Sequence, residues 1–222
     1  MDQSGIPSLE WRDGVPVSIQ FDDPYFSLNG GLAEAQHVFL AGNALPVRFT
    51  EGFHIGELGF GTGLNMLAAW AAWDQSGAIG PLKFTSFEAY PMSKPDMETA
   101  LSHFGEVASY AQRLLDVLKG PGQYDFGSLS LDLIAGDANQ MLPRWTGKAD
   151  AWFLDGFNPA KNPEMWHPDL LACVASHTAP SGTFATYSAA GPVRRALETA
   201  GFSVIRAAGF AGKRHMTRGA LR

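Results

Sequence analysis

Phe53-His-Ile-Gly-Glu57-Leu-Gly59-Phe-Gly61-Thr-Gly63-Leu-Asn65-Met-Leu-Ala-Ala-Trp70 is the stretch that decides how this chain folds. A short apolar run leads into three alternating glycines, and apolar residues at helical spacing follow, so the glycines occupy a strand-to-helix turn. Without Cβ atoms the backbone can approach a ligand closely there, and the helix behind it presents free N–H groups. The spacing excludes two common nucleotide loops. A dinucleotide fingerprint, G-x-G-x-x-G, would need glycine at Leu64, and a phosphate loop would need Lys followed by Ser or Thr after Gly63. What stands is E-x-G-x-G-x-G, in which Glu57 suits a ligand bearing an ammonium group better than one bearing pyrophosphate.

Working outward, Leu82-Lys-Phe-Thr-Ser-Phe-Glu88-Ala89 reads as a second strand. Its Glu88 lies about 25 residues past the last glycine, near the spacing at which Rossmann-like folds place the acid that binds a ribose diol. Residues 93–118 have helical period, broken near Gly105. Ser128-Leu-Ser-Leu-Asp-Leu-Ile134 alternates as a third strand and runs into Ala135-Gly-Asp137-Ala138, where Asp137 suits either a helix N-cap or an acceptor for an adenine amino group. Asp150-Ala-Trp-Phe-Leu-Asp155-Gly-Phe157 is the nearly continuous apolar run of a strand covered on both faces, with Asp155 at its carboxyl end. Strand-like Ser181–Tyr187, helical Val193–Ala200, and strand-like Gly201–Ile205 and His215–Leu221 complete the alternation. The expectation is a doubly wound, mostly parallel sheet with a terminal hairpin at its edge.

Residues 1–50 read as an extension packed on a core of residues 51–222. Val15-Pro-Val-Ser-Ile-Gln-Phe21 alternates like a strand, and His37-Val-Phe-Leu40 and Leu45-Pro-Val-Arg-Phe49 flank Ala41-Gly-Asn-Ala44 as a hairpin. Between them, Phe21-Asp-Asp-Pro-Tyr25-Phe26 and Asn29-Gly-Gly31 suit a ligand lid or the cap of the next helix.

With 222 residues, 45% of them apolar, the chain is long enough for one well-buried domain. No apolar run approaches the roughly 20 residues of a membrane span, and residues 1–10 lack the pattern of a leader, so a cytoplasmic protein is expected. Cys173 has no cysteine partner, and the six histidines show no H-x-x-x-H or H-E-x-x-H spacing, so no metal site is expected. The net charge of −6 is uneven. From Gly191 to Arg222, seven Arg and Lys residues face Glu198 alone, which offers a polyanion a local basic patch or simply a solvated face.

Five blocks together resemble a known family: Trp11-Arg-Asp-Gly-Val-Pro-Val-Ser18, Phe21-Asp-Asp-Pro-Tyr-Phe-Ser27, Gly59-Phe-Gly-Thr-Gly-Leu-Asn65, the block from Trp152 through Asp155-Gly-Phe157 to Trp166, and Gly209-Phe-Ala-Gly-Lys-Arg-His-Met216. They are similar to the methyltransferase part of the MnmC-type tRNA-modifying enzymes, over nearly the whole chain. The resemblance implies a class I fold using S-adenosylmethionine to methylate the amine of 5-aminomethyl-2-thiouridine at the wobble position, with the tRNA anticodon loop as partner. By position, Glu57 and the turn Gly59, Phe60, Gly61, Thr62 and Gly63 would hold the methionine part, Glu88 the ribose, and Asp137 with Ala138 the adenine. Asp155 would face both cofactor and substrate amine. Tyr25, Phe157 and Trp166 would contact the sulfonium or the uracil ring. Lys161 would touch substrate, and Arg194, Arg195, Lys213 and Arg214 the tRNA phosphates. Asn158 and His215 depart from the family's usual residues. Bifunctional members continue into a flavin-dependent oxidase; this sequence stops at Arg222, so a stand-alone methyltransferase or an excised domain is expected, leaving room for a separate oxidase partner acting upstream. Methylation of a small free amine is the alternative that the acidic body allows.

Overall fold

The computed structural model describes residues 7–27 and 30–222; Asn29 of the expected lid, and the first residues of the expected leader-free segment, lie outside them. Its centre is an eight-stranded sheet in the order β10-β11-β9-β8-β4-β5-β7-β6. In chain order these strands are β4 (His54–Leu58), β5 (Leu82–Glu88), β6 (Gly122–Asp125), β7 (Leu129–Ala135), β8 (Ala149–Leu154), β9 (Thr178–Thr186), β10 (Phe202–Ala208) and β11 (His215–Leu221). Strands β4, β5, β7, β8 and β9 run parallel, whereas β6 is antiparallel to β7, and β11 to both β9 and β10. The terminal hairpin folds back so that its second strand lies inside its first.

Helices cover both faces. α2 (Leu64–Ser76) starts at Gly63, and Met66, Leu67, Trp70 and Trp73 in it are all at most 1% exposed. A helix apolar on nearly every side must be enclosed, and α2 packs against α1 (Gly31–Ala35), the wide turn Gln36–Leu40 and α4 (Ala108–Val117). Trp70 Nε1 donates to Ser128 Oγ at 2.9 Å, and the Arg113 guanidinium lies 4.2 Å from the Trp70 ring centroid. α3 (Lys94–Leu101) is capped by Ser93. On the other side, α5 (Ala138–Met141), α6 (Pro168–Ser176) and α7 (Gly191–Thr199) complete the layers; Leu171, Val174 and Leu197 pack with Trp152 and Phe184 of the sheet. Among the described residues no helix is long and apolar enough to cross a membrane.

The N-terminal hairpin exists, but not where expected. β1 (Leu9–Arg12) pairs with β2 (Val15–Ser18), and β2 with the short β3 (Asp23–Pro24). The two-residue loop is Asp13-Gly14, both at positive φ (51° and 81°). Asp-Gly is the residue pair such a tight turn favours, because its backbone twist matches that of the strands. Residues 36–43 are helical instead, from the wide turn Gln36–Leu40 through a tighter one at Ala41–Asn43, and turns at 44–48 replace the expected second strand. Leu32, Ala35, Val38 and Phe39 recur at helical spacing, and all join the core around α2. Arg48 ties this segment to the sheet, donating to the Asp150 carbonyl at 3.0 Å and to Thr183 Oγ1 at 2.5 Å. Strand β6 carries no apolar alternation and was not expected; it forms by pairing with the edge of β7.

Candidate active site

β4 has β5 on one side and β8 on the other, so the segments leaving these strands diverge and open a crevice beyond their carboxyl ends. The crevice is a cavity of about 560 Å³, ample for a small cofactor. The glycine turn forms one wall. Gly59 has φ 85° and Gly61 φ 53°. A Cβ on Gly59 would lie 3.2 Å from the Asp155 carbonyl oxygen, and one on Gly61 would lie 3.1 Å from the Tyr25 ring. Backbone conformation and close packing therefore both demand glycine. Phe60 and Thr62 also line the cavity, whereas Gly63 stands behind it as the start of α2.

Three strand-end acids meet there, as expected. Glu88 is buried, with Oε2 accepting from the Gly61 N–H and Oε1 from the Tyr90 N–H, each at 2.8 Å. Burial raises its carboxyl above the ordinary value, while the N–H groups of Gly61, Tyr90, Phe60 and Ala89 pull it back. Held this way, the carboxylate keeps lone pairs for two vicinal hydroxyls. Asp137 N-caps α5, Oδ1 accepting from the Asn139 N–H at 2.9 Å, and lines the cavity with Ala138. Asp155 follows β8; its Oδ2 accepts from Asn65 Nδ2 and its Oδ1 from the Gly156 N–H, each at 2.8 Å. Burial pushes the Asp155 carboxyl up to about 6; the Asn65 and Gly156 hydrogen bonds oppose this, Glu34 adds to it, and Lys213 opposes it.

Glu57 is placed differently. It is fully buried and does not line the cavity; Oε1 accepts from Asn65 Nδ2 at 3.1 Å and Oε2 from Ser86 Oγ at 2.7 Å. Burial holds its carboxyl well above the usual range. Its contact with the site is indirect, through Asn65, which holds Glu57 and Asp155 with one amide nitrogen. Asn65 belongs to the quoted turn, but the sequence assigns it no role; the role appears when β8 comes alongside β4.

Residues of the stretch 20–27, around β3, roof the cavity. Tyr25 packs edge-on against Phe157, centroids 5.1 Å apart, and Phe21 stacks on Phe157 at 4.7 Å. Lys161 lines the cavity, but its Nζ is engaged by the carbonyl of Asp22 and the carboxylates of Asp22 (3.2 Å) and Asp23 (3.8 Å). Asp23 Oδ2 also accepts from the Asn158 N–H at 2.8 Å. Lys161 is thus a clasp between roof and loop. Trp166 is buried, 6% exposed, with Nε1 donating to the Phe157 carbonyl at 2.9 Å. It shapes the loop carrying Phe157 and cannot stack on a base from that position.

The basic residues separate. Arg194 and Arg195 lie on α7 and Arg214 on the turn 209–214, all outside the cavity wall. Lys213 turns inward, donating to Glu34 Oε1 at 2.6 Å. Phe21, from the expected lid, joins the wall, whereas Glu34 and Tyr187 are wall residues for which the sequence gives no signal, because a partner distant in the chain defines each position.

This acidic cavity, with a glycine wall and a rigid carboxylate at the end of β5, fits a cofactor carrying ribose and a cationic head. Residues 104–222 match a family model described as S-adenosyl-L-methionine-dependent methyltransferase. The chain is 45% identical, over 95% of its length, to the tRNA 5-methylaminomethyl-2-thiouridine biosynthesis bifunctional protein MnmC of Pseudomonas savastanoi, and 47% identical, over 94%, to that of Idiomarina loihiensis. It spans 34% and 37% of those proteins. The crystal structure of MnmC2 from Aquifex aeolicus superposes on the whole chain with TM-score 0.75 and 25% identity, 72% of that structure being covered. DesVI of Streptomyces venezuelae shares the fold, with TM-score 0.51 at 15% identity and 86% and 92% of the two chains covered. The motif resemblance thus extends along nearly the whole length, and the chain belongs to the S-adenosyl-L-methionine-dependent methyltransferase family.

Proposed function

We propose that the chain methylates the amine of 5-aminomethyl(-2-thio)uridine at the wobble position of tRNA, giving the 5-methylaminomethyl nucleoside named for its MnmC relatives. Because it spans about a third of those bifunctional proteins, the tRNA substrate and an oxidase acting upstream to supply the aminomethyl group are part of the same proposal, as is a cytoplasmic setting. The observation that carries the reading is Asp155: a sequestered carboxylate, fixed by Asn65 and Gly156, in the cavity that also holds the glycine turn and Glu88.

S-adenosylmethionine, when bound, supplies a methyl group on a sulfonium. The turn Gly59–Gly63 and Glu88 would hold its methionine and ribose parts, and Asp137 with Ala138 its adenine. An alkylammonium has a pKa of roughly 10, so it must give up one proton before its nitrogen has a lone pair to donate. Asp155 can take that proton and pass it on to water; ionised again, it accepts a hydrogen bond from the amine, and its negative charge offsets the positive charge that reappears on nitrogen as the new bond forms. Phe21, Tyr25 and Phe157 exclude water from one side and offer ring faces to a cation or a planar base. An anticodon-loop base is single-stranded, so it can enter without opening a duplex.

The test is transfer of radiolabelled methyl from S-adenosylmethionine to tRNA from cells lacking the modification, followed by nucleoside analysis. Label in the 5-methylaminomethyl nucleoside is the expected result. Methylated small amines with unlabelled tRNA would overturn the substrate assignment and leave the cofactor in place.

A further inference from the structure

One corner of the cavity is already built for an alkylammonium. Lys213, on the turn between β10 and β11, places Nζ 2.6 Å from Glu34 Oε1 and 4.8 Å from the centroid of the Tyr187 ring. A carboxylate and an aromatic face are the two partners that recognise a cation on an alkyl stem. All three residues line the same cavity as Asp155. Tyr187 is fixed there by its hydroxyl, which donates to the carbonyl of Gly156, next to Asp155, at 2.6 Å. The charges of both Glu34 and Lys213 act on the Asp155 carboxyl.

The two ends of the ion pair differ. The Glu34 side chain is only 12% exposed, set in α1 where the chain packs on α2, whereas that of Lys213 is 48% exposed on an irregular turn. A largely buried carboxylate facing a cavity needs a cation, because leaving it unpaired is costly. A half-exposed lysine can supply that cation and can also give way to another, since water solvates it when it leaves.

We propose that Glu34 selects a cationic amine as the methyl acceptor: the substrate's aminomethyl ammonium replaces Lys213 between Glu34 and the Tyr187 ring, beside Asp155. The inference rests on the amine-methylation reading above and adds the residue that reads the charge. Glu34 receives the substrate as an ammonium; Asp155 acts on the proton that must leave. A neutral group of the same size would have to break the Glu34–Lys213 pair with no charge to put in its place. Lys213 therefore serves as a gate against uncharged wobble substituents, rather than as a phosphate contact.

The experiment compares anticodon stem-loops carrying 5-aminomethyl or 5-hydroxymethyl at the wobble uridine, as competitive inhibitors of tRNA methylation. Their phosphates are identical, so backbone contacts cancel in the ratio of inhibition constants. The unaltered protein should favour the amine by about tenfold or more, the scale of one charge-assisted contact. Glu34→Gln should bring the ratio to within about threefold of unity while S-adenosylmethionine binding, read by calorimetry, persists. Lys213→Met should keep or widen the preference, since it removes the competitor and leaves the reader. An unchanged ratio in Glu34→Gln overturns the inference, and so does a loss of preference in Lys213→Met matching that in Glu34→Gln, which would make the pair a structural tie. If the unaltered protein methylates no aminomethyl tRNA, the failure lies in the underlying reading and is seen before any variant is made.

Discussion

Asn65→Leu gives the sharpest test of how Asp155 is tuned. The substitution keeps side-chain volume and removes the 2.8 Å hydrogen bond from Asn65 Nδ2 to Asp155 Oδ2. A hydrogen bond to a charged group contributes about 1.5–3 kcal/mol, and one pKa unit corresponds to about 1.4 kcal/mol. The Asp155 carboxyl, held at about 6, should therefore rise by about one to two units, to between roughly 7 and 8. A raised carboxyl loses its charged form as the pH falls through the new value, so at pH 7 the ionised fraction drops from about nine-tenths to between about a tenth and a half. If turnover needs the carboxylate, the variant should be roughly two- to tenfold slower at pH 7 and approach the unaltered protein near pH 9. The assay is single-turnover methyl transfer from pH 5.5 to 9.5, read as the ratio of variant to unaltered rate. In that ratio the titration of the substrate amine cancels. The substitution also removes the Asn65 hydrogen bond to Glu57, whose carboxyl burial holds well above the usual range, while Ser86 Oγ remains beside it at 2.7 Å. A ratio that stays flat across the range would show that Asn65 acts on geometry alone and does not tune Asp155.

Asp155→Asn, which keeps shape and removes charge, should lower the rate of methyl transfer by about 10² to 10⁴, while calorimetric titration still detects S-adenosylmethionine. Gly61→Ala places a side chain at φ 53° and 3.1 Å from the Tyr25 ring. It should cost about 1–2 kcal/mol, and the pairing of that variant with Tyr25→Ala should recover part of the cofactor affinity by relieving the contact. Leu67→Ala in α2, at a position with no exposure, should reduce stability by about 2–5 kcal/mol in urea titration. Lys161→Met releases the clasp on Asp22 and Asp23; stopped-flow measurements should show faster dissociation of bound S-adenosylmethionine, and an unchanged rate would show that the roof does not limit release.

Most of the parallel core was legible because four of its five strands, β4, β5, β7 and β8, are local apolar runs that end at or run straight into Gly or an acid. β4, β5, β7 and β8 lie within a few residues of their expected bounds, and Glu88, Asp137 and Asp155 reach one cavity from three strand ends. Residues 37–49 misled because short apolar pieces around Ala41-Gly-Asn-Ala44 imitate a hairpin, while the helical period runs back to Leu32 and takes its meaning from packing on α2. The Asp13-Gly14 turn was a readable signal of strong mechanism. In the site, residue type alone suggested a ligand for Glu57 and Trp166, and burial decided otherwise. Lys213 looked like one of several surface cations; its inward turn depends on Glu34, a residue 179 positions earlier.

That span has a thermodynamic meaning. The cavity wall draws on the roof before α1, the glycine turn, the ends of β5, β7 and β8, and the turn before β11, so no contiguous fragment contains it. A ligand bound there is linked to closure of the entire chain, and at a hundred times its dissociation constant it adds about 2.7 kcal/mol to the stability of the folded state as a whole. Cofactor supply would then set how long each copy of the protein survives proteolysis, as well as how fast it works.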